Sequence, residues 1–146
     1  QKETELIMTR HETRESAFML VFERALTGED IGEILEAASE TDAVKLSDTV
    51  AAIFKGGEEN RQQIDKCIEK HLKNWTIDRI TKVSLAAMRV AVYEILFDDS
   101  LDADISVSEA VKICEKYTTK EDTSFVNGVL GSLVRQLKGD ETNKSN

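Results

Sequence analysis

Two arginines near the start of the chain have the spacing of a phosphate clamp. Arg10 and Arg14 are one helical turn apart, so they lie on one face of a predicted helix. There they could hold neighbouring phosphates of a nucleic acid. The alternative is that both are ordinary solvated charges, with Arg14 paired to a neighbouring acid. Arg79 and Lys82 could extend the same basic surface.

Phe125 is the aromatic residue best placed to contact a base. It begins the last predicted helix, beside a polar turn, and a ring at a helix start can stack on an unpaired base. The alternative is that Phe125 belongs to the core. Trp75 could also act as a stacking platform, but its place at the start of the second half favours a core position between the two halves.

No pattern typical of catalysis or metal binding occurs in the sequence. His11 and His71 are 60 residues apart, and there is no HExxH, no CxxC and no glycine-rich phosphate loop. Cys67 and Cys114 lie in apolar helical surroundings, which predicts free, buried thiols in a reducing cytoplasm. We therefore expect no cofactor, no metal and no enzymatic activity.

The composition predicts a helical protein that works in the cytoplasm. The 146 residues include no proline, and no apolar run approaches the roughly 20 residues of a membrane span. The N-terminus lacks the apolar stretch of a secretory signal. A net charge of −9 excludes a simple polybasic nucleic-acid binder. Seven basic and three acidic residues between 61 and 93 nevertheless leave room for a local basic surface.

In the first half of the chain, helices are predicted with clear capping residues at their ends. Residues 1–8 lack periodicity and are expected to form a flexible extension. The capping signals that follow are Thr9 with Glu12, Gly28 and Ser47. After Ser47 we favour one continuous helix reaching residue 72 over two helices, with Gly56-Gly57 as a weak spot inside it.

Residues 83–97 predict the buried centre of the second half, because 12 of these 15 residues are apolar. Arg89 and Glu94 lie within this stretch and need partners, since a buried charge is costly without one. Their spacing does not favour a pair with each other.

Two more helices are predicted after this central one. Ser106 with Glu109 forms a second capping box, and Asp122 or Thr123 is expected to cap the last helix. The polar residues 139–146 are expected to form a flexible tail.

Three sequence motifs follow one another along the chain and together cover most of residues 9–138. They read TRHETRESAF with a following VF, then NWTIDRITKV leading to MRVAVYEI, and finally ISVSEAV followed by FVNGVL. Together they resemble the NusB family of bacterial transcription antitermination factors. The resemblance implies an all-α fold of about seven helices in two small bundles packed together. The N-terminal bundle would span about 9–73 and the C-terminal bundle about 75–138.

The resemblance also implies a function. Members of this family bind the boxA element of nascent, single-stranded RNA, usually with the small-subunit ribosomal protein NusE. The complex helps RNA polymerase to resist termination, notably on ribosomal RNA operons, and some members form homodimers. The positions expected to contact RNA are Arg10, His11, Arg14, Arg79, Lys82 and Phe125. Because the opening helix has only two arginines, we expect weak RNA binding without a partner.

Two other functions remain open at this point. Some ribosomal RNA cytosine methyltransferases carry a NusB-like domain for RNA recognition, although no cofactor-binding βαβ segment is present here. A helical scaffold that binds proteins without RNA would suit the acidic composition.

Overall fold

Seven α-helices form the secondary structure of the described part of the chain. This computed structural model describes the backbone of residues 8–145 and the side chains of residues 8–139. The helices are α1 (Arg10–Thr27), α2 (Ile31–Ser39), α3 (Asp48–Glu59), α4 (Arg61–Glu69), α5 (Lys82–Phe97), α6 (Ala103–Tyr117) and α7 (Lys120–Ser145). A 3₁₀ turn (Ile77–Arg79) precedes α5. No strand occurs among the described residues, so the all-α prediction is confirmed.

Helix α1 begins and ends where its sequence signals place it. The Thr9 hydroxyl accepts a hydrogen bond from the Glu12 backbone N–H at 3.0 Å, and the Glu12 carboxylate accepts one from the Thr9 N–H at 2.9 Å. At the other end Gly28 adopts φ 73°, a left-handed conformation that favours glycine. The predicted extension, residues 1–8, lies outside the described residues except for Met8, which packs against the core.

Helix α5 occupies the centre of the fold, as its apolar composition predicts. It packs against α1, α3, α4, α6 and α7. Met88 and Val92 are fully buried. The buried side chains form one cluster with members from every helix, so both halves share a core. The division into bundles at residues 73 and 75 stays a prediction.

Arg89 on α5 finds its partner on α4. Its Nε and Nη2 each donate to an oxygen of the Asp65 carboxylate at 2.9 Å. This fork-to-fork pairing fixes both position and orientation, because two parallel hydrogen bonds must form together. It confirms the need for a partner and fastens α4 to α5.

The helix after Ser47 is interrupted, which corrects the prediction of one continuous helix. Ser47 caps α3 as predicted, and Gly56-Gly57 remains helical. The break comes at Asn60, whose side-chain Nδ2 donates to the Gly56 carbonyl at 2.8 Å. Asparagine competes in this way for helix carbonyls, so the helix ends there and α4 begins afresh.

The predicted starts of α6 and α7 are also wrong by a few residues. Asp102 caps α6 by accepting from the Asp104 N–H at 2.9 Å, four residues before the predicted cap Ser106. Thr119 accepts from the Asp122 N–H at 3.1 Å, so α7 starts before the predicted caps. In both places an earlier capping side chain was available.

The backbone of α7 continues beyond its predicted end. The sequence places the end near Gly139, whereas the helix extends to Ser145. Glycine lowers helix propensity by only about 1 kcal/mol and does not by itself end a helix. The flexibility expected of residues 139–146 stays a prediction.

Replacing each of the two adjacent glycines of α3 by alanine should have opposite effects on stability. A Cβ at Gly57 would meet no atom within 4 Å, so Gly57→Ala should stabilise the fold by about 0.5–1 kcal/mol. A Cβ at Gly56 would stand 2.5 Å from the Tyr93 hydroxyl oxygen. Tyr93 packs against Phe97 with ring centroids 5.4 Å apart and planes inclined by 35°, so moving it disturbs packing at a cost of about 1–3 kcal/mol.

Denaturant unfolding of both variants measures this difference. Gly56→Ala should be the less stable of the two by more than about 1 kcal/mol, since it meets the packing cost that Gly57→Ala avoids. Equal stability of the two variants would show that Tyr93 does not need the space beside Gly56.

Candidate nucleic-acid interface

Arg14 lies in a buried ion pair between α1 and α5. Its Nε donates to the Glu94 Oε1 and Oε2 atoms at 2.9 and 2.8 Å, and Ser106 donates to the same carboxylate at 2.9 Å. Only 6% of the Arg14 side chain is exposed. The structure therefore supports the alternative interpretation of Arg14, pairing with an acid, and a contact of Arg14 with RNA stays a prediction.

Arg10 is exposed at the start of α1. It lines a cavity of about 310 Å³ together with Arg14, with α3, and with Asp98 and Ser100 in the loop after α5. A hydrogen bond from Ser100 lowers the pKa of Asp98, and the positive charges of Arg10 and Arg14 lower it further. Arg10 therefore provides positive charge near the C-terminal end of α5.

His11 lies between two carboxylates. Its Nδ1 hydrogen-bonds Glu109 on α6, and its Nε2 is 3.7 Å from a carboxylate oxygen of Glu15 on α1. Burial tends to raise the pKa of Glu109, but hydrogen bonds from His11 and Lys112 outweigh it and the pKa is lowered. The contacts give His11 a role in joining α1 to α6, and an additional contact with RNA stays a prediction.

Two lysines lie along the α1–α6 seam, the row of contacts in which His11 and Glu15 of α1 meet Glu109, Lys116 and Tyr117 of α6. Lys116 donates to Glu15 at 2.6 Å, and this bond, with one from Tyr117, lowers the pKa of Glu15. Lys112 is 3.3 Å from Glu109. Because about 60% of each lysine side chain is exposed, both lysines present positive charge along this seam.

An aromatic cleft opens at the N-terminal end of α5. Trp75 and Phe125 meet edge to face, with ring centroids 6.3 Å apart and planes inclined by 60°. The Arg79 guanidinium lies over the Trp75 ring, 4.8 Å from its centroid, in a cation–π contact. The cleft has a volume of about 360 Å³, within the range of small-ligand sites.

Polar side chains form the remaining wall of the cleft. Asp122 accepts hydrogen bonds from Thr81 at 3.2 Å and from Thr118 at 2.5 Å, which ties the start of α7 to the start of α5. Glu121 lines the same wall and is exposed. Lys82 is the first residue of α5 and is exposed. It directly follows Thr81, which lines the cleft. The cleft therefore combines aromatic rings, the Arg79 guanidinium group and carboxylates.

The predicted basic surface is divided between the two ends of α5. This helix has 16 residues, which makes it about 24 Å long. Arg10 lies beyond its C-terminal end, whereas Arg79 and Lys82 lie at its N-terminal end. The spacing of residues along one helix could not reveal this separation. The α1–α6 seam connects the two ends.

The predicted core position of Trp75 is wrong. It is 48% exposed, and its ring forms a wall of the cleft. Phe125 is half-buried and packs against the core while also lining the cleft. Trp75 and Arg79 are four residues apart, and this spacing could have predicted their contact. They lie in and beside a 3₁₀ turn rather than in an α-helix.

Other kinds of site find little support in the described residues. No group of three or more His, Cys, Asp or Glu side chains among them is placed to hold a metal ion. Cys67 and Cys114 are free, as predicted, but Cys67 is half-buried rather than buried. Burial raises the pKa of Cys114 to about 12, so this thiol stays protonated. No helix in this part of the chain is long and apolar enough to cross a membrane.

The described part of the chain is an all-helical protein with an aromatic and charged cleft at one end of α5. Comparison with known families makes this specific: the sequence profile of the NusB family matches residues 11–135. The chain belongs to the NusB family of transcription antitermination proteins, which are not enzymes.

Individual relatives agree with this assignment. The transcription antitermination protein NusB of Clostridium botulinum (strain Hall) is 36% identical over 143 residues, covering 87% of this chain and 100% of the relative. A chain in the crystal structure of antitermination factors NusB and NusE in complex with dsRNA is 29% identical, with a TM-score of 0.77 and coverage of 87% and 96%. A chain in the crystal structure of a plectonemic RNA supercoil is 30% identical, with a TM-score of 0.79 and coverage of 88% and 95%.

Proposed function

We propose that this chain binds single-stranded, boxA-type RNA together with the ribosomal protein NusE. In this proposal the complex acts in the cytoplasm on RNA polymerase and supports its elongation through ribosomal RNA operons. The observation that carries the proposal is the cleft formed by Trp75, Arg79 and Phe125. Proteins commonly recognise single-stranded RNA by stacking unpaired bases on aromatic rings and on guanidinium planes, and the cleft provides both.

The positions of the cations support a path for the RNA backbone. The strand would extend from Arg10, along the α1–α6 seam, to Arg79 and Lys82 beside the cleft. A stacked strand advances by about 3.4 Å per nucleotide, so the 24 Å length of α5 corresponds to about seven nucleotides. In this proposal Arg10, Arg79 and Lys82 contact phosphates and Phe125 contacts a base.

Arg14 and His11 have supporting roles in the same proposal. The buried pair of Arg14 with Glu94 holds α1 on α5. His11 holds α1 beside Glu109 of α6, at the edge of the proposed RNA path. Both residues thereby position Arg10 relative to the seam.

The proposed partner explains how an acidic chain could bind RNA tightly. A structure similar to this chain contains the antitermination factors NusB and NusE with dsRNA. With a net charge of −9 and only a few exposed cations on the RNA path, this chain alone makes few phosphate contacts. NusE would add contacts of its own. A homodimer, which some members of the family form, stays an alternative assembly.

Replacing the Phe125 ring tests the cleft directly. Phe125→Ala should weaken binding of boxA-type RNA by about 1–3 kcal/mol, the scale of base–aromatic stacking. The dependence of affinity on salt should not change, because no cation is lost. Affinity should be measured at several salt concentrations, with thermal unfolding of the same sample as the control. A lower melting temperature with unchanged affinity of the folded fraction would place Phe125 in the core alone.

Addition of NusE should make RNA binding tighter and more sensitive to salt. On single strands, each added phosphate contact steepens the slope of log affinity against log salt by about 0.7. Titration of boxA-type RNA with and without NusE measures both quantities. Equal affinities and equal slopes in the two titrations would contradict the proposed partnership.

A further inference from the structure

We propose that the Trp75–Phe125 cleft holds one unstacked base and selects cytosine over uracil through the carboxylate of Glu121. This inference rests on the RNA binding proposed above and adds to it a base preference and one residue, Glu121. Its basis is the composition of the cleft, whose lining includes two aromatic rings, a guanidinium group and two carboxylates.

The two rings form a corner that fits one flat ligand. Because their planes are inclined by 60°, a base that stacks on one ring meets the edge of the other. Such edge-to-face contacts are favourable, since the positive edge of a ring faces the negative face of its neighbour. Arg79 covers one face of Trp75, which adds a guanidinium plane to the corner. The arrangement suits an aromatic base rather than an aliphatic side chain.

The charges of the cleft set the orientation of a bound nucleotide. Glu121 and Asp122 line the cleft and repel phosphate, whereas Arg79 attracts it. The base would therefore point toward the carboxylates, with its phosphate on the side of the cations. Asp122 already accepts hydrogen bonds from Thr81 and Thr118, which leaves Glu121 as the exposed carboxylate for the edge of the base.

A carboxylate distinguishes cytosine from uracil by the group at C4. Cytosine presents an amino group there, which donates to a carboxylate, and uracil presents a carbonyl oxygen, which a carboxylate repels. The two bases have rings of the same size, so a difference between them reports the hydrogen bond rather than stacking.

The test compares short oligocytidylate and oligouridylate on the folded chain in the presence of NusE, by fluorescence anisotropy of labelled RNA. Wild-type protein should bind the cytidine strand about tenfold more tightly, the effect of one hydrogen bond to a charged group. Glu121→Gln should reduce this ratio to about twofold or less. Glu33→Gln is the matched control, because it removes the same charge from an exposed position on α2 and should keep the tenfold ratio.

Trp75 provides an independent signal, because it is the only tryptophan of the chain. Without NusE present, its emission should be quenched by oligocytidylate, and the quenching should saturate at the same RNA concentrations as anisotropy measured without NusE. Binding with a ratio near one, or without any change in Trp75 emission, would overturn this inference and leave the proposed function standing. Failure of both strands and of boxA-type RNA to bind would overturn both.

Discussion

Arg14→Met is expected to lower the free energy of unfolding by about 3–5 kcal/mol. The substitution keeps the aliphatic bulk of the side chain but removes the cation that pairs with Glu94, a residue only 5% exposed. A buried carboxylate that loses its partner has no solvent to replace it, which is why breaking such pairs is strongly destabilising. Chemical denaturation at fixed pH measures the loss.

Two variants separate this effect from a general loss of packing. Adding Glu94→Gln to Arg14→Met removes the orphaned charge and keeps a polar partner for Ser106, so most of the stability should return. Arg61→Met removes an exposed arginine whose partner Glu58 keeps a second ion pair with Arg24 at 3.3 Å, so this change should cost no more than about 1 kcal/mol. A loss below about 1 kcal/mol in Arg14→Met would show that the buried pair does not hold α1 on α5.

The second large effect is expected when the proposed phosphate contacts are removed together. Replacing Arg10, Arg79 and Lys82 by alanine should flatten the slope of log affinity against log salt by about 2, at about 0.7 per contact. The ratio of wild-type to variant affinity should therefore be about a hundredfold larger at 0.1 M salt than at 1 M salt. RNA of any sequence should be affected alike, since phosphate contacts carry no base information.

A matched triple variant controls for net charge. Alanine at Lys55, Arg61 and Lys66 removes the same number of positive charges from α3 and α4, and none of these residues lines either cavity described above. The salt slope of this control should match that of the wild type. Equal slopes for both triple variants would mean that the charges at the ends of α5 do not contact phosphate.

Local signals predicted most of the fold. The capping pair Thr9 and Glu12 and the left-handed Gly28 set the ends of α1 in the structure as they do in the sequence. The apolar stretch of α5 identified the centre of the core, because a helix that is apolar all round has no stable position at the surface. The errors at Asn60 and Ser106 came from side-chain hydrogen bonds that compete with, or precede, the expected cap.

The candidate site was less predictable, because its geometry depends on contacts between distant residues. The partner of Arg14 is 80 residues away in the sequence, and no local pattern shows that Glu94 will be buried against it. Trp75 and Phe125 are separated by 50 residues and meet only because α5 and α7 start at the same end of the molecule. Spacing along single helices located candidate residues, but it could not show which of them would share a surface.

An NMR titration of the ¹⁵N-labelled chain with single-stranded boxA-type RNA tests the central claim most directly. The account predicts perturbed resonances at Arg10, Arg79, Lys82, Phe125 and the Trp75 indole N–H, together with the α1–α6 seam. The resonances of α3 and α4 facing away from this surface should be unchanged. Saturable perturbations confined to α2, α3 and α4, or no perturbation at any RNA concentration, would contradict the proposed RNA path.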